Sequence, residues 1–392
     1  MNKLLFWVLY ICIITITSCK GQENYKSPNA DLINFKINYN IIDKEDVHIK
    51  KILEFWNRFL NQDDVCNNSD IFWETPLFVK SPSFMYCFMN SFKEQGGKSQ
   101  ITVLSINKID TETYKLKTIV IYQKDSTKPL MVDYIFDSYI RYKNEEARLI
   151  CVLDLNMQKL SQKKIGNITY FYDPMNHRFN MTEATLLDKF NLEMSAKFDI
   201  PIIPFSYISC INTIDAYNKF GFDFIPEQFV PNQKYAGFTD PISKIIISGN
   251  NSEYYSHEVV HLYTRKYAEL NNINVHTWVD EGIATFLGGS KGQPLEWHIK
   301  KLKKYLSEHI DTDLKDLNQL HNLPNGEYLT EYPYVIGGLI AKLVYEKEGM
   351  EGLLQMLKIE NNDEFFFTFL KNKFGVTKDN FKQFINLNIQ KY

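Results

Sequence analysis

The sequence predicts an α+β protein made of two successive domains, the first with an antiparallel sheet and the second mainly helical in its C-terminal part. Two observations support this class. Short runs of β-branched and aromatic residues are grouped together rather than alternating with helices, and a long helical pattern follows the last of them. With 392 residues, 44% of them hydrophobic and 15% aromatic, the chain can bury more than one core.

A targeting segment precedes the folded part. Lys3 is followed by an apolar stretch over residues 4–16, shorter than the roughly 20 residues that a bilayer-spanning helix needs. The stretch ends in Ile-Thr-Ser followed by Cys19, which resembles a bacterial lipobox. This resemblance implies cleavage before Cys19 and lipid attachment to it, the alternative being a short membrane helix. We expect residues 1–18 to be a signal peptide and residues 19–40 to be a tether.

The expected location and the charge of the chain limit its partners. A lipidated chain would lie in the bacterial cell envelope, held on the outer membrane and facing either the periplasm or the cell surface. The formal net charge is -3, with both signs interspersed, so the chain offers no basic face for a phosphate backbone. We therefore expect no nucleic-acid partner.

The cysteines leave two possibilities open. Once Cys12 is removed with the signal peptide and Cys19 carries lipid, an even set remains in an oxidising compartment. Its members either form disulfides or stay as buried thiols. No Cys-x-x-Cys pair is present to suggest a thiolate zinc site or a redox motif. The remaining residues are Cys66, Cys87, Cys151 and Cys210.

We expect residues 41–160 to form the first domain. Residues 47–60 carry apolar side chains at helical spacing and predict an amphipathic helix. Short runs rich in β-branched and aromatic residues follow, separated by Asp, Asn, Lys and Gly clusters, and they predict an antiparallel sheet. The predicted strands are residues 101–106, 114–122, 131–136 and 149–153.

We expect residues 161–392 to form the second domain, with the boundary in the polar stretch over residues 156–164. The domain begins with strands and one helix, for which Thr182 is the predicted cap. From residue 252 onward the pattern is helical almost to the C-terminus. The predicted elements before that point are a strand at 168–172, a helix at 183–198, and strands at 202–208 and 244–248.

The strongest functional motif is H-E-x-x-H, formed by His257, Glu258 and His261 within a predicted helix. Residues four apart lie on one face of a helix, so both imidazoles can reach the same metal ion. Glu258 would lie beside the metal, where it can take a proton from a water that zinc activates. The alternative is a pair of ordinary surface or core histidines.

A third ligand is predicted downstream, where Glu281 opens an amphipathic stretch after the loop over residues 271–277. A second helix packed back on the first would bring Glu281 to both histidines. One Zn²⁺ ion held by two histidines and a glutamate keeps a fourth position open, which is typical of catalytic sites. The alternative is a carboxylate that only stabilises a helix N-terminus. Asp280 is either a partner of a ligand imidazole or a solvated cap, and the cap is the preferred interpretation.

The motif and its surroundings resemble the gluzincin superfamily of zinc metallopeptidases, in particular its aminopeptidase N branch. The resemblance rests on H-E-x-x-H, on a Trp-x-x-Glu-Gly-x-Ala sequence containing Glu281, and on a Pro-Tyr-x-x-Gly sequence containing Tyr334. It implies a zincin-like catalytic fold and a hydrogen bond from Tyr334 to the oxyanion, with Tyr332 as the alternative donor. Ile336 stands where that branch has Lys, and its amine-gripping Gly-x-Met-Glu-Asn motif has no counterpart before His257.

This resemblance implies a lipid-anchored zinc metallopeptidase that hydrolyses peptide bonds with Glu258 as general base. The missing amine-gripping motif motivates one alternative, a non-catalytic binding or assembly lipoprotein that keeps the zinc fold. A further alternative keeps the chemistry and changes the substrate to glycoproteins, as the resemblance to lipoprotein gluzincins implies. No Gly-x-Ser-x-Gly elbow, phosphate-binding Gly loop or dinucleotide fingerprint suggests another chemistry. The expected partners are a peptide or protein substrate and the membrane, through the anchor at Cys19.

Overall fold

The computed structural model describes residues 34–37, 46–62, 71–80, 98–123, 127–225, 237–312, 314 and 332–392. Within these residues two mixed sheets occur together with ten helices, and the part after β11 is helical, which confirms the predicted α+β class. Cys19 and the predicted signal peptide lie outside them. In chain order the strands are β1 (Asn34–Ile37), β2 (Lys98–Lys108), β3 (Thr113–Gln123), β4 (Met131–Lys143), β5 (Glu146–Ile150), β6 (Ser161–Ile165), β7 (Ile168–Tyr172), β8 (Phe205–Ser209), β9 (Phe222–Phe224), β10 (Gly237–Asp240) and β11 (Ile245–Ser248). The helices are α1 (Val47–Leu60), α2 (Val152–Met157), α3 (Met181–Phe198), α4 (Thr213–Lys219), α5 (Ser256–Asn271), α6 (Thr277–Gly288), α7 (Leu295–Glu308), α8 (Tyr332–Leu357), α9 (Asp363–Phe374) and α10 (Phe381–Ile389).

The chain divides into two units. The sequence predicted a single boundary between the domains, after residue 160. In the structure the first unit also includes a later segment, Ile214–Val230. That segment carries β9, which pairs with β4 and places Phe222 opposite Phe136. The units comprise Met1–Leu160 with Ile214–Val230, and Ser161–Thr213 with Pro231–Tyr392.

The first unit is a sheet with a long amphipathic helix packed on it. Strands β2 to β5 are antiparallel neighbours, β1 pairs in parallel with β2, and β9 pairs with β4. Ile52, Trp56 and Phe59 on α1 are fully buried, and the Trp56 ring lies 6.2 Å from the ring of Phe136 on β4. Asp46 caps α1 by accepting hydrogen bonds from two first-turn amides. The apolar stripe of α1 is therefore the face that covers the sheet.

One predicted strand, residues 149–153, is wrong in its second half. β5 ends at Ile150, and α2 begins at Val152. The carboxylate of Asp154 in α2 accepts three backbone hydrogen bonds from residues 77–79, at 2.5, 3.1 and 3.0 Å. A short apolar run does not by itself distinguish a strand from a buried helix, and this tertiary contact stabilises the helix.

The second unit is built on a five-stranded sheet in the order β10-β11-β8-β7-β6. The three central strands are parallel, while β10 and β6 are antiparallel to their neighbours and form the two edges. Helix α5 follows β11 and packs against α3, β10 and α6, and α6 packs in turn against α8. Among the described residues, no helix is both long and apolar enough to cross a membrane.

In the second unit, strand β8 begins later than predicted and helix α3 begins earlier. The predicted strand at 202–208 begins only after Pro204, because proline has no amide hydrogen to donate to a sheet. Helix α3 is capped by Asn180 rather than by Thr182, and the Asn180 side chain accepts hydrogen bonds from two first-turn amides. Asn180 is itself fixed from outside, since its backbone amide donates to the Glu253 carboxylate at 2.8 Å.

Two of the four cysteines in the predicted folded domains lie among the described residues. Cys151 and Cys210 are buried thiols. Cys66 and Cys87 lie outside the described residues.

Helices α6 and α8 cross where each has a glycine. A Cβ atom on Gly282 would lie 2.7 Å from the Cα atom of Gly337, closer than two non-bonded carbon atoms approach. The missing side chains let the two helix backbones touch. Helix α8 therefore packs directly on the residue that follows Glu281.

Replacement of Gly282 by Ala should destabilise the protein by about 3 kcal/mol, although Ala in an open helix is favoured over Gly by about 1 kcal/mol. Overpacking against the Gly337 backbone is the reason. Gly338→Ala is the matched control, because the close contact of its Cβ would be with the end of the Leu295 side chain, at 2.7 Å, and the nearest backbone atom would lie 3.5 Å away. We expect that variant to change the free energy of unfolding by less than about 1 kcal/mol in urea denaturation. Equal losses in both variants would contradict the backbone contact.

Candidate metal centre

Helices α5 and α6 bring two imidazoles and one carboxylate together. His257 and His261 lie one turn apart on α5, and Glu281 projects from α6. The two Nε2 atoms are 3.2 Å apart. Glu281 Oε2 lies 3.1 Å from His257 Nε2 and 3.4 Å from His261 Nε2. These are the three side chains predicted to bind the metal, and their ligand atoms lie within 4.8 Å of one another.

The turn after α6 orients His257. Its Nδ1 atom lies 2.7 Å from the carbonyl oxygen of Gly289, which can only accept, so Nδ1 carries a proton and Nε2 is the ring nitrogen that faces the cluster. Gly289 has a φ of +74°, a conformation that favours glycine. A Cβ atom on Gly288 would lie 2.7 Å from the backbone nitrogen of His257. The two glycines therefore let the end of α6 reach the imidazole.

Asp280 lies against the second imidazole, and its predicted role as a solvated cap is wrong. Only 1% of Asp280 is exposed, and its Oδ2 atom lies 2.7 Å from Arg265 and 3.3 Å from His261 Nδ1. The contact with His261 is electrostatic rather than a well-aligned hydrogen bond. Thr264 Oγ1 donates to the other carboxylate oxygen at 2.6 Å. Helix α6 begins before the predicted point, so the cap is His276, which accepts from a first-turn amide.

The charges of the cluster are mutually dependent. Burial alone would raise the pKa of Glu281, but the His261 charge and hydrogen bonds from both imidazoles outweigh it and lower that pKa to about 2. Burial likewise opposes the charge on His261, yet Asp280 and Glu281 raise its pKa well above the usual range. Burial also opposes ionisation of Asp280, and Arg265 and His261 together hold its pKa below the usual range. Two buried carboxylates thus favour positive charge on His261.

The three ligand atoms fit a tetrahedral zinc ion. Ligands about 2.1 Å from zinc lie about 3.4 Å apart at tetrahedral angles. The observed separations are 3.1, 3.2 and 3.4 Å. With a proton of His257 on Nδ1, its Nε2 atom is the ring nitrogen that faces the other two ligand atoms and can bind a cation. Two imidazoles and a carboxylate are also a ligand set that zinc prefers.

Of the two predicted catalytic residues, Glu258 follows His257 directly on α5, and Tyr334 contacts the His257 ring. Glu258 is 7% exposed, and its Oε2 atom accepts a hydrogen bond from Thr239 Oγ1 at 2.6 Å. The ring of Tyr334, in the first turn of α8, stacks on the His257 ring with centroids 5.7 Å apart and an interplanar angle of 18°. Tyr332, the alternative oxyanion donor, is 2% exposed and belongs to the hydrophobic core.

A buried polar network beside the start of α5 escaped the sequence prediction. Glu253 is completely buried, and its carboxylate accepts hydrogen bonds from His177 Nε2, from Ser209 Oγ at 3.0 Å and from the Asn180 amide at 2.8 Å. His177 Nδ1 lies 2.8 Å from the Asn251 side-chain oxygen. The members of this network are far apart in sequence and follow no motif, so no sequence spacing could have identified them.

Among the described residues, no other histidine joins the cluster. His276 caps α6, and His298 Nε2 donates to the Ser290 carbonyl oxygen at 2.8 Å. Burial lowers the pKa of His298 to about 4, so it is neutral at pH 7. His309 is exposed at the end of α7, and His321 lies outside the described residues.

Comparison with protein-family models and with curated protein sequences finds no match. The resemblance to gluzincins therefore depends on the motifs quoted above. The geometry of the cluster is an independent observation, because it follows from the packing of α5 and α6.

Metal-free protein titrated with Zn²⁺ in a calorimeter should bind one ion per chain. His261→Ala should weaken binding by more than about 100-fold, because loss of an outer partner alone typically costs roughly 10- to 100-fold. Asp280→Asn should weaken zinc binding by roughly 10- to 100-fold, because it changes only an outer partner. His309→Ala is the control and should bind zinc as the unchanged protein does. Equal affinity in the His261 and His309 variants would exclude the cluster as the zinc site.

The His177–Glu253 pair should make stability depend on pH. The hydrogen bond to Glu253 raises the pKa of His177 in the folded protein. The pair therefore contributes its full stabilisation below the unfolded pKa of about 6.5. This contribution to the free energy of unfolding is lost as pH rises through the pKa that His177 has in the folded protein. His177→Gln should lower the free energy of unfolding by about 3 kcal/mol at pH 6 and by less at pH 9. The measurement is urea denaturation at both pH values, with His309→Gln as the control. A loss that grows with pH would contradict the charged pair.

Proposed function

We propose that this protein is a zinc-dependent metallopeptidase. The observation that carries the proposal is the buried group of His257, His261 and Glu281, whose ligand atoms fit one zinc ion. Glu258 follows a proposed ligand directly in sequence and keeps its carboxylate on the same helix turn. A structural site would close all four positions with protein ligands, whereas three protein ligands and a neighbouring base support a catalytic site.

Zinc bound by these three side chains would act as a Lewis acid toward the scissile carbonyl and would acidify water. Glu258 takes a proton from the attacking water as the water oxygen bonds to the carbonyl carbon. It then gives a proton to the leaving nitrogen as the carbon–nitrogen bond breaks. The chain thus supplies one group that acts first as base and then as acid.

Tyr334 is the proposed donor to the oxyanion. Its ring is nearly parallel to that of His257, at an angle of 18°, so it lies against a proposed ligand. A phenol hydroxyl there would donate a hydrogen bond to the oxygen that becomes negatively charged. The Gly282–Gly337 contact supports this role, because it fixes the start of α8 against the helix that carries Glu281.

An extended peptide is the substrate class that the surroundings favour. Strand β10 ends the strand order, pairs with β11 on one side and packs on α5. An edge strand beside the reactive group can hold a peptide by main-chain hydrogen bonds. We further propose that the protein acts in the cell envelope, attached by lipid at Cys19, as its N-terminal sequence implies.

Glu258→Gln should keep stoichiometric zinc and lose peptide cleavage by at least about 100-fold, because glutamine cannot accept the proton. The measurement is digestion of a mixed peptide library that includes an O-glycosylated peptide, read by mass spectrometry, with zinc content determined in parallel. Glu269→Gln is the control on the same helix, since Glu269 is exposed and, within the described part of the chain, pairs only with Lys266, at 2.9 Å.

The library separates the alternatives. Cleavage by the Glu258→Gln variant at the rate of the unchanged protein would exclude the mechanism. Stoichiometric zinc without cleavage of any peptide by the unchanged protein would favour a binding or assembly role. Cleavage confined to the glycosylated peptide would assign the protein to glycoprotein substrates.

A further inference from the structure

We propose that Thr239, on the edge strand β10, is the positioning residue that holds Glu258 ready for proton transfer. The inference rests on the proposed function of Glu258 and deepens it. Thr239 is 7% exposed, and its hydroxyl oxygen lies 2.6 Å from Glu258 Oε2 and 3.0 Å from the Glu258 carbonyl oxygen. A hydroxyl has one proton to donate, and the shorter distance and the negative charge assign it to the carboxylate.

The carboxylate depends on this donor. Within the described part of the chain, Thr239 is the hydrogen-bond donor that contacts it. A glutamate side chain has three rotatable bonds, so a carboxylate held at one oxygen loses most of its alternative positions. The contact leaves Oε1 to accept the proton of the attacking water.

The strand is shaped for this contact. Gly237 and Thr239 are two residues apart on β10, so both face α5. A Cβ atom on Gly237 would lie 2.6 Å from Tyr255 Cδ1 and 3.1 Å from Glu258 Cγ. The missing side chain therefore lets β10 approach the helix closely enough for the hydroxyl of Thr239 to reach the carboxylate.

The same strand is held from the other side by regular pairing. Thr239 is opposite Ile246 on β11, and Gly237 is opposite Ser248. β11 pairs in turn with β8, so the hydroxyl projects from a strand that is anchored in the sheet. A group on a rigid element positions its partner better than one on a loop.

Thr239→Val removes the hydroxyl and keeps the shape of the side chain. With active protein, kcat should fall about 10- to 100-fold, the effect expected for one hydrogen bond to a charged group, while KM and zinc content stay unchanged. Thr239→Ser should retain most of kcat, because it keeps the donor. Thr169→Val, at a half-buried position on β7 of the same sheet, is the control and should behave as the unchanged protein does.

A second measurement does not need activity. Crystal structures of the zinc-loaded unchanged protein and of Thr239→Val should show the Glu258 side chain in one rotamer and in several rotamers, respectively. Thr239→Ala gives the same comparison if valine is not accommodated. If the unchanged protein cleaves no peptide, the proposed function fails, and the rotamers alone decide the role of Thr239.

Three results would overturn the inference. They are a single unchanged Glu258 rotamer in the valine variant, a valine variant with the kcat of the unchanged protein, and a variant that loses zinc or raises KM instead of lowering kcat. The last result would make Thr239 a purely structural residue.

Discussion

The constraint on which the second unit depends is the burial of two imidazoles and a carboxylate within 3.1 to 3.4 Å of one another. Such a group is unfavourable in a protein interior unless its charges and lone pairs are matched. Gly289 and Asp280 provide that match from outside the cluster, one as a carbonyl acceptor and one as a carboxylate. Asp280 is in turn neutralised by Arg265. Both imidazoles of the cluster therefore have a partner outside it, and Asp280, one of these partners, is itself paired with Arg265.

Glycines determine how closely the surrounding elements approach. Gly282 and Gly337 let α6 and α8 touch, Gly288 lets the end of α6 reach His257, and Gly237 admits the edge strand beside Glu258. At each position a Cβ atom would meet backbone or a buried ring. Ligand atoms must be placed within fractions of an ångström, and backbone contact is stiffer than contact through long side chains. The precision of the cluster thus comes from residues that have no functional group.

The start of α5 is anchored by a second, separate polar network. Glu253 joins His177, Ser209 and Asn180, and so links β8 and the start of α3 to the segment that leads into the H-E-x-x-H helix. Tyr263 adds a further link, donating from α5 to the Asn191 side chain on α3 at 2.7 Å. Fully buried networks of this kind favour one arrangement over its alternatives, because any displacement leaves a polar group unsatisfied. The metal-ligand helix is therefore fixed at its beginning and along its length.

The sequence alone determined the features that depend on local spacing. Four-residue spacing placed His257 and His261 on one helix face, and a hydrophobic stripe predicted α1 with the bounds that it has in the structure. Tertiary structure decided what spacing does not carry. Asp280 proved to be a buried partner of His261, residues 152–157 became a helix through contacts with residues 77–79, and Thr239 came to Glu258 from a different strand. The reason is physical: periodicity records which face of an element is apolar, whereas the partner of a buried polar atom depends on which backbone packs against it.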